Sequence, residues 1–250
     1  MKQPLIVILG LIAIVAGTIP LVSLAFGHTK VRTHTVAGPV KEIVVTSGSG
    51  DVELVPSDAA VEVRETQHYI VGQPKLNEDV ADGVLTVDSY CGHHTVALEC
   101  YADLRVTVPA GVKVTVDADS GDVSARRIDV RDAQLRSASG DVAADLAGRQ
   151  RVVWAHSDSG NVDVSTRDVR AVDAQTDSGD VSVQAGGDPR SITGHSDSGG
   201  VDVTVPAGDY AVDANTSSGK VDIDGISRDE HAPRTIEART ESGDVRLRGR

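Results

Sequence analysis

Ala171–Gln184, AVDAQTDSGDVSVQ, is the stretch whose reading decides the fold. Val172, Ala174 and Thr176 alternate with Asp173 and Gln175, the period-2 pattern of a strand with one face buried. Asp177-Ser178-Gly179-Asp180 breaks that pattern. Glycine reaches backbone conformations closed to other residues, and short Asp and Ser side chains bond turn amides, so this is a tight corner. Beyond it, Val181 and Val183 flank Ser182 and a second strand begins. The segment reads strand, corner, strand.

The same reading recurs along the chain. Ser-Gly, one residue, then Val stands at Gly50, Gly121, Gly140, Gly160, Gly179, Gly199, Gly219 and Gly243. From Gly121 onward these repeat-turn glycines lie 19, 20, 19, 20, 20 and 24 residues apart. Turn signals such as Gly186-Gly187-Asp188-Pro189 and Pro206-Ala207-Gly208 mark the returns between units. A single unit buries only a few Val and Ala side chains, too little to offset the entropy of ordering it. The units must therefore stack, equivalent strands pairing at about 4.8 Å. The predicted fold is all-β, a β-solenoid or β-helix-like stack of coils of about 20 residues. Composition agrees: only 2% of the 250 residues are aromatic, which suits thin repeated layers better than a thick core.

Leu5–Phe26 is apolar and free of charge, long enough for a helix to cross a bilayer. A transmembrane helix at residues 5–26 is therefore expected to precede the repeats. The weak cleavage signal at Ala25-Phe26-Gly27 keeps a removed signal peptide as the alternative. The expected division is 1–27 signal anchor or signal peptide, 28–35 linker, 36–119 an N-terminal β cap carrying the first repeat, and 120–250 the repeat solenoid. Strand-like runs in the cap fall at Val61–Arg64, Val84–Asp88, Leu104–Val108 and Val112–Val116. The expected location is the cell membrane, single-pass, with the repeats outside the cytoplasm; secretion after cleavage is the alternative.

The formal net charge of −13 argues against nucleic acid, whose binding needs clustered Lys and Arg. Cys91 and Cys100 are expected to form a disulfide if the domain is exported. Zinc held by Cys91, His93, His94 and Cys100 is the competing reading, but the spacing fits no common zinc pattern. The repeat acids Asp122, Asp141 and Asp180 are calcium candidates, because stacked carboxylates invite a bridging cation. The row is broken at Asn161, Gly200 and Lys220, which favours turn chemistry instead. His156-Ser157-Asp158 and His195-Ser196-Asp197 bring hydrolase residue types together. Neighbours on a strand point to opposite faces, so they cannot form a triad. No nucleotide fingerprint, P-loop or nucleophile elbow occurs, so neither catalysis nor a cofactor is expected. Trp154 is read as packing within a coil rather than as a sugar platform.

The Ser-Gly-Asp-Val repeats, the Cys91 and Cys100 pair, the run Leu104-Arg-Val-Thr-Val-Pro-Ala-Gly-Val112 and Gly38-Pro39-Val40 together resemble a known family. It is the bacterial "putative adhesin" β-strand-repeat family, a domain of unknown function common in actinobacterial envelope proteins. The resemblance covers about residues 36 to 248. It implies a β-solenoid-like fold, supplies no catalytic residues, and carries only an adhesin label as to role. The leading functional expectation is a non-enzymatic, adhesin-like envelope module. Its outward Asp163, Asp173, Asp202, Asp213 and Asp222 would face a cationic or polyhydroxylated glycan or protein partner. The alternative is a structural or regulatory envelope-stress protein that self-associates or signals through its single span. A polysaccharide-active enzyme is the third.

Overall fold

The computed structural model describes residues 27–92 and 99–250. The span expected at residues 5–26 and the pair His93 and His94 lie outside them. Among the described residues no helix is long and apolar enough to cross a membrane. Every regular element is a strand.

The coils are laid down as the alternation dictates. β9 (Val123–Ser139), β10 (Val142–Ser159) and β11 (Val162–Ser178) each leave one Ser-Gly corner, cross a return and run into the next corner. They stack in parallel and in register: Val142 pairs with Val123 on one side and Val162 on the other. Val153, Ala155, Val172 and Ala174 point inward and are buried. β12 (Val181–Ala185) and β13 (Ser191–Ser198) repeat the pattern, as do β14 (Val201–Val205), β15 (Gly208–Ser218) and β16 (Val221–Asp224). The short β17 (Ile226–Arg228) pairs with the start of β15, and β18 (Thr235–Ser242) and β19 (Val245–Gly249) form the chain's last coil.

The region expected to be a cap contributes two full layers and the first half of a third. β2 (Glu42–Ser47) and β3 (Val52–Ser57) flank the Gly50 corner. β6 (Val84–Tyr90) and β7 (Cys100–Pro109) flank the cysteine loop, and β8 (Val112–Ala118) leads into the Gly121 corner. True capping is done by antiparallel strands. β4 (Glu62–Tyr69) lies against β7, and β5 (Lys75–Ala81) against β6. Residues 28–35 are not a linker. They form β1 (His28–Thr35), which pairs antiparallel with β4 along eight residues, because β4 otherwise presents unpaired amides at that edge.

Rod order is not chain order. Following the first residue after each corner, the pairing runs Leu104, Val52, Val123, Val142, Val162, Val181, Val201, Val245, Val221. These nine layers span about 40 Å at the strand spacing. The chain's first coil is thus second in the rod, and its last coil is inserted before the one that precedes it in sequence. The 24-residue interval between Gly219 and Gly243 provides the longer return this insertion needs. The coil left at the end carries Lys220 where most others carry Asp.

Candidate functional site

Each corner is built by three stacked columns. The glycine amide donates to the carbonyl of the Ser in the next layer, as Gly160 does to Ser178 (3.0 Å) and Gly179 to Ser198 (3.1 Å). The residue after the glycine lends its side chain: the amide of Asp122 donates to Asp51 Oδ1 (2.9 Å), Asp141 to Asp122 (2.9 Å), Asn161 to Asp141 (2.7 Å) and Asp180 to Asn161 (2.9 Å). In five layers a buried hydroxyl three residues before the glycine closes the corner from inside. Ser137, Ser157, Thr176, Ser196 and Thr240 each donate to the glycine carbonyl of the preceding layer at 2.7–2.8 Å.

The corner glycines share one cause. Six of the eight have φ > 0, but Gly160 and Gly219 do not. All eight instead press against backbone of the adjacent layer, where a Cβ would collide. Close approach, rather than turn conformation alone, fixes glycine at this column.

The calcium candidates Asp122, Asp141 and Asp180 sit in this amide-bonded ladder. The Oδ1 of each accepts an amide from the following layer. Gly200 cannot do the same for Asp244, whose amide has no side-chain acceptor among the described residues. Gly200→Asn should restore the missing rung and raise stability by about 1 kcal/mol, the net worth of one hydrogen bond, measured by denaturant unfolding. A loss of stability would show that the ladder is not what the aspartates are for.

Cys91 and Cys100 form a disulfide with Cα atoms 6.1 Å apart. It occupies the place of the Ser-Gly corner in the β6–β7 layer, where Gly48 bonds to Ser89 and Ala102 to Ser49. Cys91→Ala/Cys100→Ala should cost about 2–3 kcal/mol, the loop-closure entropy of so short a ring. The midpoint of thermal unfolding checks this against the same protein under reducing conditions.

The hydrolase residue types are separated by the strand. His156 bonds to Asp158 (2.9 Å) and His195 to Asp197 (3.0 Å) on the outer surface. Ser157 and Ser196 face inward and are buried. Trp154 is also on the outer surface, stacked on His156 with ring centroids 5.5 Å apart. It does not pack within the coil, because Val153 and Ala155 on either side take the inward positions.

The Toastrack DUF4097 family model matches residues 40–248, nearly the whole stack just described. The chain belongs to this family. No curated protein matches it. Among solved structures, this Toastrack chain is similar to a "putative cell adhesion protein" from Clostridium sporogenes, with 12% identity and a TM-score of 0.45 over 89% of this chain and 100% of that one. A "putative adhesin" from Parabacteroides merdae gives 12% and 0.47 over 88% and 95%. A "putative lipid binding protein" from Parabacteroides distasonis gives 13% and 0.45 over 88% and 96%.

The acidic outer face of the Toastrack stack is partly neutralised by the inserted last coil. Arg248 pairs with Asp202 (2.9 Å) and Arg239 with Asp213. Asp173 accepts from Gln175 (2.7 Å). The residues that sequence reading passed over lie on the opposite edge, in the returns. Arg131, Arg151, Arg170, Arg190 and Arg234 each stand nine positions before a corner glycine. That constant offset was the available signal. Stacking places them in successive layers, since Asp132, Val152, Ala171, Ser191 and Thr235, the residues after them, pair in that order.

Asp132 is the counter-ion at one end of this arginine column, bonded to Arg151 (2.6 Å) and Arg131 (3.2 Å). Burial pushes its carboxyl up, but the two guanidinium groups outweigh this and hold it below the usual carboxylate range. A depressed value means the stabilisation is present above about pH 4 and lost as pH falls through the folded-state value. Asp132→Asn should therefore cost about 1 kcal/mol at pH 7 and progressively less as the pH falls below about 4, measured by unfolding across that range.

Proposed function

We propose that this Toastrack chain is a non-enzymatic binding rod of the cell envelope, adhesin-like in the sense that it displays one surface many times over. The observation that supports this is the matched register of the layers, which lines up equivalent positions along the outer face. Equivalent side chains recur layer after layer, so a partner with repeated units can meet repeated contacts, each weak and jointly strong. In this reading residues 5–26 hold the rod at the membrane and the repeats lie outside the cytoplasm. The full chain should be retained on isolated envelope fractions at physiological salt. Retention of nothing under those conditions would overturn the reading.

The free end of the rod favours a second reading, self-association. Among the described residues, β15 from Ala211 onward and β16 are paired only with β18 and β19, while the first three residues of β15 pair with Ile226–Arg228. Val221 is 42% exposed there, and Val212 and Ile223 are only half-buried, unlike their counterparts in inner layers. A second copy stacking on that edge would cover them. Sedimentation across a concentration series separates the two: a monomer at every concentration removes this second reading and leaves the first.

A further inference from the structure

Five arginines in successive layers form an uninterrupted column in a chain whose formal net charge is −13. The other charge-bearing columns of the stack mix their residues. The column four before the glycine, for instance, runs Asp117, Arg136, His156, Gln175 and His195. Like charges repeated at strand spacing repel, and the fold has no need of them there, since the side chains stand outside the core.

Neutralisation is incomplete. Arg131 and Arg151 share Asp132, and Arg234 lies 3.8 Å from Asp188 and over the Tyr210 ring at 4.3 Å. Arg170 and Arg190 are exposed and, among the described residues, have no carboxylate within ion-pair distance. Their backbones are joined, Arg190 donating to the Arg170 carbonyl at 2.7 Å. Together with Arg149 and Arg151 they line an open cleft of about 560 Å³.

We propose that this column binds a linear, phosphate-bearing polyanion laid along the rod axis. This rests on the reading of the chain as a binding rod and names the chemistry of its partner. Guanidinium groups fork onto phosphate oxygens in paired hydrogen bonds, and a row of them at one spacing suits a chain of anions rather than a single one. The five arginines extend over about 19 Å at strand spacing. Asp132, Asp168 and Asp188 flank the row. These carboxylates narrow the positive strip to a line, which admits a thin polymer and repels a broad anionic membrane. Single-stranded nucleic acid is disfavoured because the strip lacks the aromatic platforms on which bases stack, Tyr210 at its end excepted.

The test uses the full chain and long-chain inorganic polyphosphate, with binding measured by titration calorimetry at low and at physiological salt. Wild type should bind, and the affinity should fall steeply with salt. Arg170→Gln/Arg190→Gln should weaken binding at least tenfold with an unchanged melting temperature. Arg246→Gln/Arg248→Gln, which removes the same charge from another face, should change it by less than twofold. Equal loss in both variants, no binding by wild type, or tighter binding to phosphatidylglycerol vesicles or a single-stranded oligonucleotide would overturn the assignment. If polyphosphate is not bound while envelope fractions still retain the chain, the arginine column fails and the binding rod stands. If neither is bound, both fail.

Discussion

Gly179→Ala should abolish or nearly abolish folding. The added Cβ would stand 2.7 Å from the carbonyl carbon of Gly160 and closer still to its oxygen. That oxygen already accepts the Thr176 hydroxyl at 2.7 Å. Both are backbone-fixed, so relief requires the two layers to part, which breaks the Gly160 to Ser178 and Val162 to Asp180 bonds that join them. With φ near +145° at this residue, conformational strain is added to the collision. A loss of more than about 4 kcal/mol is expected, comparable to the stability of a small domain. Gly111→Ala is the control. Its φ is +79°, but nothing stands within 4 Å of the added carbon, so only about 1–2 kcal/mol of backbone strain applies. Thermal unfolding of the two variants compares them directly. Equal costs would show that the column is set by turn conformation and not by layer contact.

Deleting residues 229–250 should unfold two layers rather than one. In a solenoid stacked in chain order, trimming the C-terminus peels off the outermost coil and leaves the rest intact. Here the deleted strands β18 and β19 lie between the layer of β13 and β14 and the layer of β15 and β16. The end layer would lose the strand neighbour of Ala211–Asp224 and keep only the three-residue pairing of Gly208–Tyr210 with Ile226–Arg228, and it would lose the Lys220 to Asp244 and Thr216 to Gly243 bonds. It has no comparable bonding of its own, and its Val221 is already exposed. Limited proteolysis of the truncated chain should therefore cut from about residue 206 onward, and hydrogen exchange should show no protection across 208–224. Retained protection there would mean that the end layer stacks without the inserted coil.

How far the sequence revealed this molecule depends on whether a feature repeats. The alternation around Gly179 and the even spacing of the corners were enough to give parallel layers in register. Local pattern carries that information, because every layer solves the same packing problem. The order of the layers was hidden. Val245 and Val221 occupy equivalent positions, and nothing in either coil's own pattern says which is the inner one. The clues are pairwise: Arg239 opposite Asp213, Arg248 opposite Asp202, and an Asp rather than Lys220 beside the coil it must bond. The β1 strand carries no sequence signal, because all eight of its residues are exposed and no buried face marks it. The cause of the corner glycines was half visible, since φ is a local property and contact with the next layer is not. The arginine column was legible in principle through its constant offset from the glycine, yet in sequence each arginine sits in a variable return where charge is commonplace.

Cysteine cross-linking across one face tests the layered, interleaved order most directly. Thr193 pairs with Glu237, and Glu237 in turn with Asp213, all three outward on neighbouring strands. Thr193→Cys/Glu237→Cys puts two thiols on adjacent strands, within reach of a disulfide, whereas Thr193→Cys/Asp213→Cys leaves a whole layer between them. Under mild oxidation the first pair should link and the second should not. Linking of the second pair alone, or of neither, would contradict the stack.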